Sequence, residues 1–327
     1  MEKRNQYLTA LLVVQLALAV LTFWPRSATS EAAAGPLLDD FEAGEVTAFT
    51  VSDADGNRIE LAREGDEWVL PEADDFPANS SQVETFLGKV AKLQKNRLVT
   101  QTEGSHARLM VAEDEFERLV ELRLEDGNTE RLFIGSSGGP SATHVRLANE
   151  PEVYLTGDLA VWDANTQPGS WVDTTYVSVP LTETVGLTLQ NTNGTFEFSK
   201  EGESWTMEGL DEDETFNEEA LTSMLGQITS LQMVRPLGKT EDASYGLDDP
   251  RAEAILETEA GEMYTLAIGA EDSEDLTAVA KWSESPYYVR ISDATANSLV
   301  DKTEADFIQS PTPAPSLELE ATPVTAP

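Results

Sequence analysis

The sequence contains no cysteine and only two histidines, His106 and His144. The lack of cysteine excludes disulfide bonds, thiolate nucleophiles, cysteine-ligated zinc or iron–sulfur sites, and a lipid anchor attached to a cysteine. Two histidines far apart in the chain do not form a recognisable zinc motif. We therefore expect a protein without a metal or a cofactor, whose stability comes from packed cores.

Basic residues are also scarce. The 327 residues include 21 Lys and Arg against 60 Asp and Glu, which gives a net charge of −39. A surface this acidic repels phosphate backbones, so nucleic acid is not expected as a partner. The hydrophobic content of 40% is nevertheless sufficient for packed cores, and the length leaves room for two domains.

The first thirty residues contain a long hydrophobic segment. It extends from Tyr7 to Trp24 and includes Leu12, Leu16 and Leu21. As a helix this segment would cover roughly 27 Å, which is enough to cross a bilayer core. Because Lys3 and Arg4 precede it, the positive-inside rule places the N-terminus in the cytoplasm and the bulk of the chain outside. Residues 1–30 are thus predicted to be a cytoplasmic stub and a transmembrane anchor in the inner membrane.

A cleaved signal peptide is the alternative interpretation of this segment. Ala28-Thr29-Ser30 and Ala32-Ala33-Ala34 both offer the small residues that a signal peptidase requires. Both interpretations export the body of the protein. The Ala-rich and acidic residues 31–44 are then a linker, and the Pro/Thr-rich residues 310–327 are predicted to be a disordered tail.

The chain between linker and tail repeats one pattern, which predicts two homologous domains over residues 45–179 and 180–309. Asp53-Ala54-Asp55-Gly56 and Asn193-Gly194 each separate alternating apolar residues, as in a β-hairpin. A series of alternating strands follows later in each half. A short helical stretch is expected to close each half, near 159–165 and near 294–300.

Each half also predicts one amphipathic helix between its strands. Asn79 and Asn217 are suited to cap these helices, because their side chains can accept the free amide protons of the first turn. Apolar residues recur at helical spacing in both halves, at Val83, Phe86, Leu87, Val90 and Leu93 and at Leu221, Met224, Leu225, Ile228 and Leu231. The predicted class is therefore α+β, with two tandem homologous domains, each a largely antiparallel sheet with one main helix.

One loop of the second half resembles a known family. Tyr245-Gly246-Leu247-Asp248-Asp249-Pro250 is similar to the signature Tyr-Gly-Leu-Asp-x-Pro of the family named domain of unknown function 4340. The resemblance extends over about residues 45–308 as two copies, and the second copy is closer to the pattern. In the first copy Arg108-Leu109-Met110-Val111 stands in place of Tyr-Gly-Leu-Asp, and Phe116 in place of the proline.

The resemblance implies an N-terminal membrane helix before the domain. It does not imply a particular reaction, because the family is named for its unknown function. Some relatives are described as auxiliary proteins of a gliding-motility ABC-type transport system, so the resemblance also implies an envelope or transporter protein as partner. The signature residues Tyr245, Gly246, Leu247, Asp248 and Pro250 are the candidate functional loop. A purely structural connection, with Gly246 and Pro250 shaping a tight turn, is the alternative.

Gly135-Ser136-Ser137-Gly138-Gly139 matches Gly-x-Ser-x-Gly, the nucleophile elbow of serine hydrolases. The elbow requires a helix directly after the turn. Here Pro140 and a strand-like segment follow, so we interpret the sequence as a hairpin loop. A catalytic Ser137, or a pair of carboxylates acting on a glycosidic bond, remains the alternative that would make the protein a hydrolase.

Three further patterns have a functional and a structural interpretation. Asp53 and Asp55 resemble part of a calcium loop, and Asp211-Glu212-Asp213-Glu214 could bind calcium weakly, but a turn and a solvated acidic loop explain them more simply. Five tryptophans could form a sugar-binding platform; they are Trp68, Trp162, Trp171, Trp205 and Trp282. Core packing is the simpler interpretation, because Trp68 and Trp205 recur at equivalent positions within strand patterns.

The sequence therefore predicts a membrane-anchored, extracytoplasmic binding or accessory protein of the bacterial envelope, without catalysis. A secreted hydrolase and a structural spacer without a ligand are the alternatives.

Overall fold

The computed structural model describes Gln15 and residues 35–309 of the chain. These residues form two compact units, of which the first contains residues up to Leu70 and Pro77–Trp171 and the second Pro71–Phe76 and residues from Val172. The predicted anchor with Tyr7, Leu12, Leu16, Leu21 and Trp24, and the predicted tail, lie outside the described residues. Within the described part, none of the helices has the length and apolar character needed to span a bilayer.

The first unit is built around a sheet with one α-helix, α1 (Ser80–Ala91). Its strands are β1 (Val46–Ser52), β2 (Arg58–Glu64), β3 (Glu67–Leu70), β4 (Phe76–Pro77), β5 (Leu98–Thr100), β6 (Arg118–Leu124), β7 (Thr129–Gly139), β8 (Ala142–Leu147) and β9 (Val153–Thr156). They are ordered β4-β3-β2-β1-β6-β7-β8-β9-β5.

The second unit has a sheet of eight strands and two α-helices, α2 (Glu218–Thr229) and α3 (Asp293–Val300). Its strands are β10 (Thr184–Asn191), β11 (Gly194–Glu201), β12 (Ser204–Met207), β13 (Arg235–Gly238), β14 (Ala252–Thr258), β15 (Met263–Asp272), β16 (Thr277–Trp282) and β17 (Tyr288–Ser292). They are ordered β12-β11-β10-β14-β15-β16-β17-β13.

Apart from the additional β4, the two sheets have the same strand order. The correspondence extends to the register, because Phe49 pairs with Leu122 and Leu187 pairs with Leu256 at matching places. The paired strands of both sheets run antiparallel in these registers, and helices are few. The fold therefore agrees with the α+β class. Equivalent positions in the two units can therefore be assigned strand by strand.

The two predicted amphipathic helices and their caps are confirmed. The Asn79 side chain accepts a hydrogen bond from the amide of Gln82, and Asn217 accepts one from Ala220. Each helix buries the apolar stripe that the spacing predicts. Burial of these large apolar side chains is the main source of stability in a chain without disulfides.

Aromatic side chains fill the first core. Phe49 contacts Trp68, Phe86 and Trp171 with ring centroids 5.3–5.6 Å apart. The indole nitrogen of Trp171 donates to the carbonyl of Asn165, so its one polar group is satisfied. These contacts place Trp171 in the first unit, eight residues before the boundary predicted near 179–180.

The predicted closing helices differ between the units. Near residue 294 the helix exists as α3, which Ser292 caps through a hydrogen bond from the amide of Thr295. Near residue 159 the chain forms only a short 3₁₀ turn, Val161–Asp163. The short helical stretch expected there is therefore a 3₁₀ turn and not an α-helix, and Trp162 on this turn lies outside the core.

Candidate functional site

The signature loop of the second unit begins with a capped 3₁₀ turn, Ala243–Tyr245. The Asp242 carboxylate accepts a hydrogen bond of 2.8 Å from the amide of Ser244. Hydrogen bonding from the Ser244 side chain, and then from this amide, lowers the pKa of Asp242 below its ordinary value. Gly246 ends the turn in the left-handed region with φ +65°, a conformation that favours glycine.

The loop then lies directly on β15. A Cβ atom added to Gly269 would be 2.1 Å from the carbonyl oxygen of Tyr245, so only glycine permits this approach. Leu247 is half-buried beside the same glycine. Gly246 and Gly269 together therefore fix where Tyr245 sits on the outer face of the sheet, the face opposite the helices.

Tyr245 contacts a second tyrosine on that face. Its ring centroid is 5.4 Å from the ring of Tyr288 on β17, and both side chains are half-buried. Lys281, the cross-strand partner of Tyr288 on β16, holds its ammonium nitrogen 5.2 Å from the same ring. We call the surface formed by Glu241, Tyr245, Lys281 and Tyr288 the tyrosine face.

Charge and burial change the titration of this face. Burial and the nearby carboxylate of Glu241 raise the pKa of the Tyr288 phenol, which therefore stays neutral at ordinary pH. Burial lowers the pKa of Lys281. The Lys281 ammonium donates hydrogen bonds to the carbonyls of Trp282 and Ser285 and so holds the β16–β17 connection.

The first unit has the same loop on the same strand. Ala107–Leu109 forms a 3₁₀ turn, and Met110 follows with φ +58°. A Cβ atom on Gly135 would lie 2.2 Å from the carbonyl oxygen of Leu109, as for Gly269 and Tyr245. Leu109, rather than Arg108, thus occupies the position of Tyr245, so the alignment expected from sequence is shifted by one residue.

The side chains of the two loops differ in character. In the first unit the loop and sheet form a closed apolar cluster of Leu109, Val111, Leu119, Phe133 and Val153. The strand registers place Tyr245, Leu247, Glu253, Ala267 and Tyr288 at the equivalent positions of the second unit. All five of these are half-buried. The same loop and strands therefore carry buried apolar side chains in the first unit and partly exposed side chains in the second.

The remaining signature residues are peripheral. Asp248 and Asp249 are exposed, and Pro250 is half-buried where the loop enters β14. The strand registers make Phe116 in the first unit equivalent in position to Pro250 in the second, as expected from the sequence. Sequence reasoning missed Lys281 and Tyr288, because only the pairing of β16 with β17 brings them beside the loop.

Ser137 does not have the surroundings of a nucleophile elbow. It lies in β7, which continues to Gly139 and turns into β8 rather than into a helix. Its hydroxyl donates to the carbonyls of Gly139 and Ala142. The Nδ1 atom of His144 instead donates to the carbonyl oxygen of Ser136 at 2.7 Å.

The carboxylates suggested as calcium ligands serve as turn acceptors. Asp53 accepts hydrogen bonds from the amides of Asp55 and Asn57 and from the hydroxyl of Thr166. Glu214 accepts one from the amide of Asp211. Across residues 35–309, no group of three or more Asp, Glu or His side chains has the arrangement of a metal site.

Core packing explains four of the five tryptophans considered as a sugar platform. Trp68, Trp171, Trp205 and Trp282 are buried. Trp162 is the exception, with 75% of its surface exposed. It lies on the 3₁₀ turn that replaces the predicted closing helix of the first unit.

Comparison with known proteins identifies a family. The family described as domain of unknown function (DUF4340) matches residues 68–250, more than half of the chain, as one span from Trp68 to Pro250. No curated protein and no solved structure shows a significant similarity to the chain. The range includes the helices α1 and α2 and the signature loop, and it is shorter than the expected 45–308. The chain belongs to the DUF4340 family.

Proposed function

We propose that the protein is a membrane-anchored, extracytoplasmic binding or accessory protein of the bacterial envelope, and that the tyrosine face meets its protein partner. The observation that supports this is the contrast between the two units. The outer-face loop is sealed by apolar side chains in the first unit, whereas two half-exposed tyrosines stand at the same place in the second.

The chemistry of the tyrosine face suits protein recognition. Tyrosine combines a large apolar ring with a hydroxyl group and is enriched where protein surfaces meet. Lys281 and Glu241 place one positive and one negative charge beside the rings. Such charges give a partner orientation and specificity rather than affinity alone.

The duplication of the unit belongs to the same proposal. The shared strand order, the two close-approach glycines and the matching left-handed residues support an ancestral unit that was copied. In this view the first copy became a structural platform and the second kept the binding loop. The partner we propose is an envelope component, such as the permease of an ABC-type transport or gliding system.

A pull-down from membranes tests the proposal. The full-length tagged protein is crosslinked in living cells, and the proteins that copurify with it are compared among variants. Tyr245→Ala together with Tyr288→Ala should reduce recovery of the partner by about tenfold, which corresponds to about 1.4 kcal/mol. Tyr264→Ala is the matched control, since this half-buried tyrosine contacts Trp282 away from the face.

Unchanged recovery with the double variant would contradict the tyrosine face as the binding surface. Recovery of no partner with the wild type would favour a structural spacer. The predicted anchor is tested separately, by adding protease to spheroplasts. Digestion of a tag placed after residue 309, with the protein retained in the membrane fraction, is expected for an uncleaved anchor; release into the soluble fraction would favour a cleaved signal peptide.

A further inference from the structure

The exposed Trp162 borders a cavity of about 260 Å³ within the first unit. Residues from three places line it: Lys89 of α1, the β7–β8 hairpin with Ser137 and Ser141, and the segment from Gly157 to Asp163 that follows β9. The volume is slightly below the usual range of ligand pockets in proteins, which begins at roughly 300 Å³. One sugar ring fits this volume, and the neighbouring rings of a longer saccharide would lie outside the cavity.

The second unit shows that the cavity does not follow from the fold alone. Directly after β17 its chain forms α3, which packs on β16, β17 and α2. Ser298 of α3 donates to Gln227, which has the same place in α2 as Lys89 has in α1. In the first unit Lys89 instead pairs with Asp163 at 2.7 Å, across a shorter 3₁₀ turn. The shorter turn leaves the cavity open.

The polar groups of the cavity are of two kinds. Asp163 is already engaged, since its carboxylate accepts hydrogen bonds from Lys89 and from the amide of Ala160. Asp158 and Ser141 are exposed at the rim, and their side chains accept or donate no hydrogen bond to other described residues of the chain. They remain able to bind the hydroxyl groups of a ligand.

The charge balance decides between ligand classes. The single cation, Lys89, is neutralised by Asp163, and Asp158 adds a negative charge to the rim. A phosphate or carboxylate ligand would be repelled there, and so would an anionic lipid surface. An uncharged ligand that combines an apolar ring face with several hydroxyl groups would be accommodated.

We infer that this cavity is a saccharide-binding site, in which the indole of Trp162 stacks on the C–H face of a sugar ring. Ser141 and Asp158 bind the hydroxyl groups at the ring's edge, and the hydrophobic face of the sugar covers an indole that is otherwise 75% exposed. The inference does not depend on the partner of the tyrosine face, because all lining residues belong to the first unit.

Tryptophan fluorescence of the full-length protein in detergent tests the inference. Because the other described tryptophans are buried, the difference between wild type and Trp162→Phe isolates the signal of Trp162. Neutral trisaccharides, chitotriose and maltotriose, are added separately up to millimolar concentrations. We expect a saturable change with one or both of them, which disappears in Trp162→Phe.

Binding is then compared among variants by calorimetry or ligand-observed NMR. Trp162→Ala should weaken binding by at least about tenfold, and Asp158→Asn by a smaller factor. Leu276→Ala, a change of an exposed apolar residue in the second unit, should leave binding unchanged. Circular dichroism confirms that each variant is folded.

Two results would overturn the inference. The first is a lack of saturable response to either trisaccharide, or an equal response from wild type and Trp162→Phe. The second is a blue shift of the Trp162 emission with phosphatidylcholine vesicles in the absence of sugar, which would make Trp162 a membrane contact instead.

Discussion

Met110 and Gly246 have the same left-handed backbone, with φ +58° and φ +65°, each at the end of a 3₁₀ turn that leads toward a central strand. A non-glycine residue in this conformation costs about 1 kcal/mol, so the first unit tolerates a strain that the second avoids. The apolar cluster around Leu109 compensates for it in the first unit. The second unit has no such cluster at these positions and relies on the glycine.

Gly246→Ala should therefore destabilise the protein by about 1–2 kcal/mol, because alanine is strained at this φ and its Cβ would be 3.2 Å from the amide nitrogen of Ala270. Gly202→Ala is the matched control, with φ +66° and open space around its Cβ. The free energy of unfolding is measured in denaturant. Equal losses for both variants would show that crowding against β15 contributes nothing.

Gly88→Ala and Gly226→Ala should each stabilise the protein by about 0.5–1 kcal/mol. The two glycines lie at equivalent places inside α1 and α2, and a Cβ atom at either position meets nothing within 4 Å. Alanine restricts the unfolded chain more than glycine and favours the helix. A fall in the melting temperature for either variant would contradict the open space that the structure gives.

Arg146→Met should cost about 3–5 kcal/mol, more than Lys281→Met at the equivalent position. The buried Arg146 guanidinium donates to the carbonyls of Val111, Leu147, Ala148 and Glu150 and lies 4.6 Å from the ring of Phe133. Its removal takes a charged donor away from each of these carbonyls, although that of Leu147 still accepts from the amide of Glu150. Lys281 serves only two carbonyls, so about 1–2 kcal/mol is expected there, and the reverse order in urea unfolding would contradict the roles assigned.

Asp53→Asn should reduce stability at neutral pH but not in acid. Burial raises the pKa of Asp53, but hydrogen bonds from Asn57 and Thr166 and the charge of Arg118 lower it by more, so the folded pKa lies below its ordinary value. The carboxylate thus contributes stability above its unfolded pKa of about 3.9, and this is lost as pH falls through the folded pKa. Melting temperatures from pH 7 to pH 2 measure the loss.

The second unit offers an internal comparison for this pH effect. Asn191, at the equivalent turn, accepts from the amide of Asn193 and donates to the carbonyls of Leu299 and Lys302 without a charge. Asn191→Ala should therefore cost stability to the same extent at pH 7 and in acid. A pH-independent effect of Asp53→Asn would show that its charge plays no part.

The sequence predicted those features that depend on residues close together in the chain, such as helix caps and hairpin turns. Asn79 and Asn217 cap their helices as expected, because capping depends on residues within one turn. The hairpin turns at Asp53 and Asn193 also form between paired strands. For the signature loop, the sequence predicted a turn but not its contact with β15. That contact joins Tyr245 to Gly269, more than twenty positions away.

Non-local features were missed for the same reason. Tyr288 contacts Tyr245, and Lys281 contacts Tyr288, through the pairing of β16 with β17, which alternation in the sequence does not reveal. Core packing was also expected for the tryptophans, and the sequence does not distinguish Trp162 from those that are buried. The structure places Trp162 on the 3₁₀ turn Val161–Asp163, with 75% of its surface exposed.

The outermost strands of both sheets are short. β4 has two residues, β5 three, and β12 and β13 four each, and β13 contains Pro236. Few backbone amides and carbonyls are thus free to pair with a strand of another chain, and the proline removes one further donor. High copy numbers in a crowded compartment should therefore not lead this protein to polymerise into fibrils through its sheet edges.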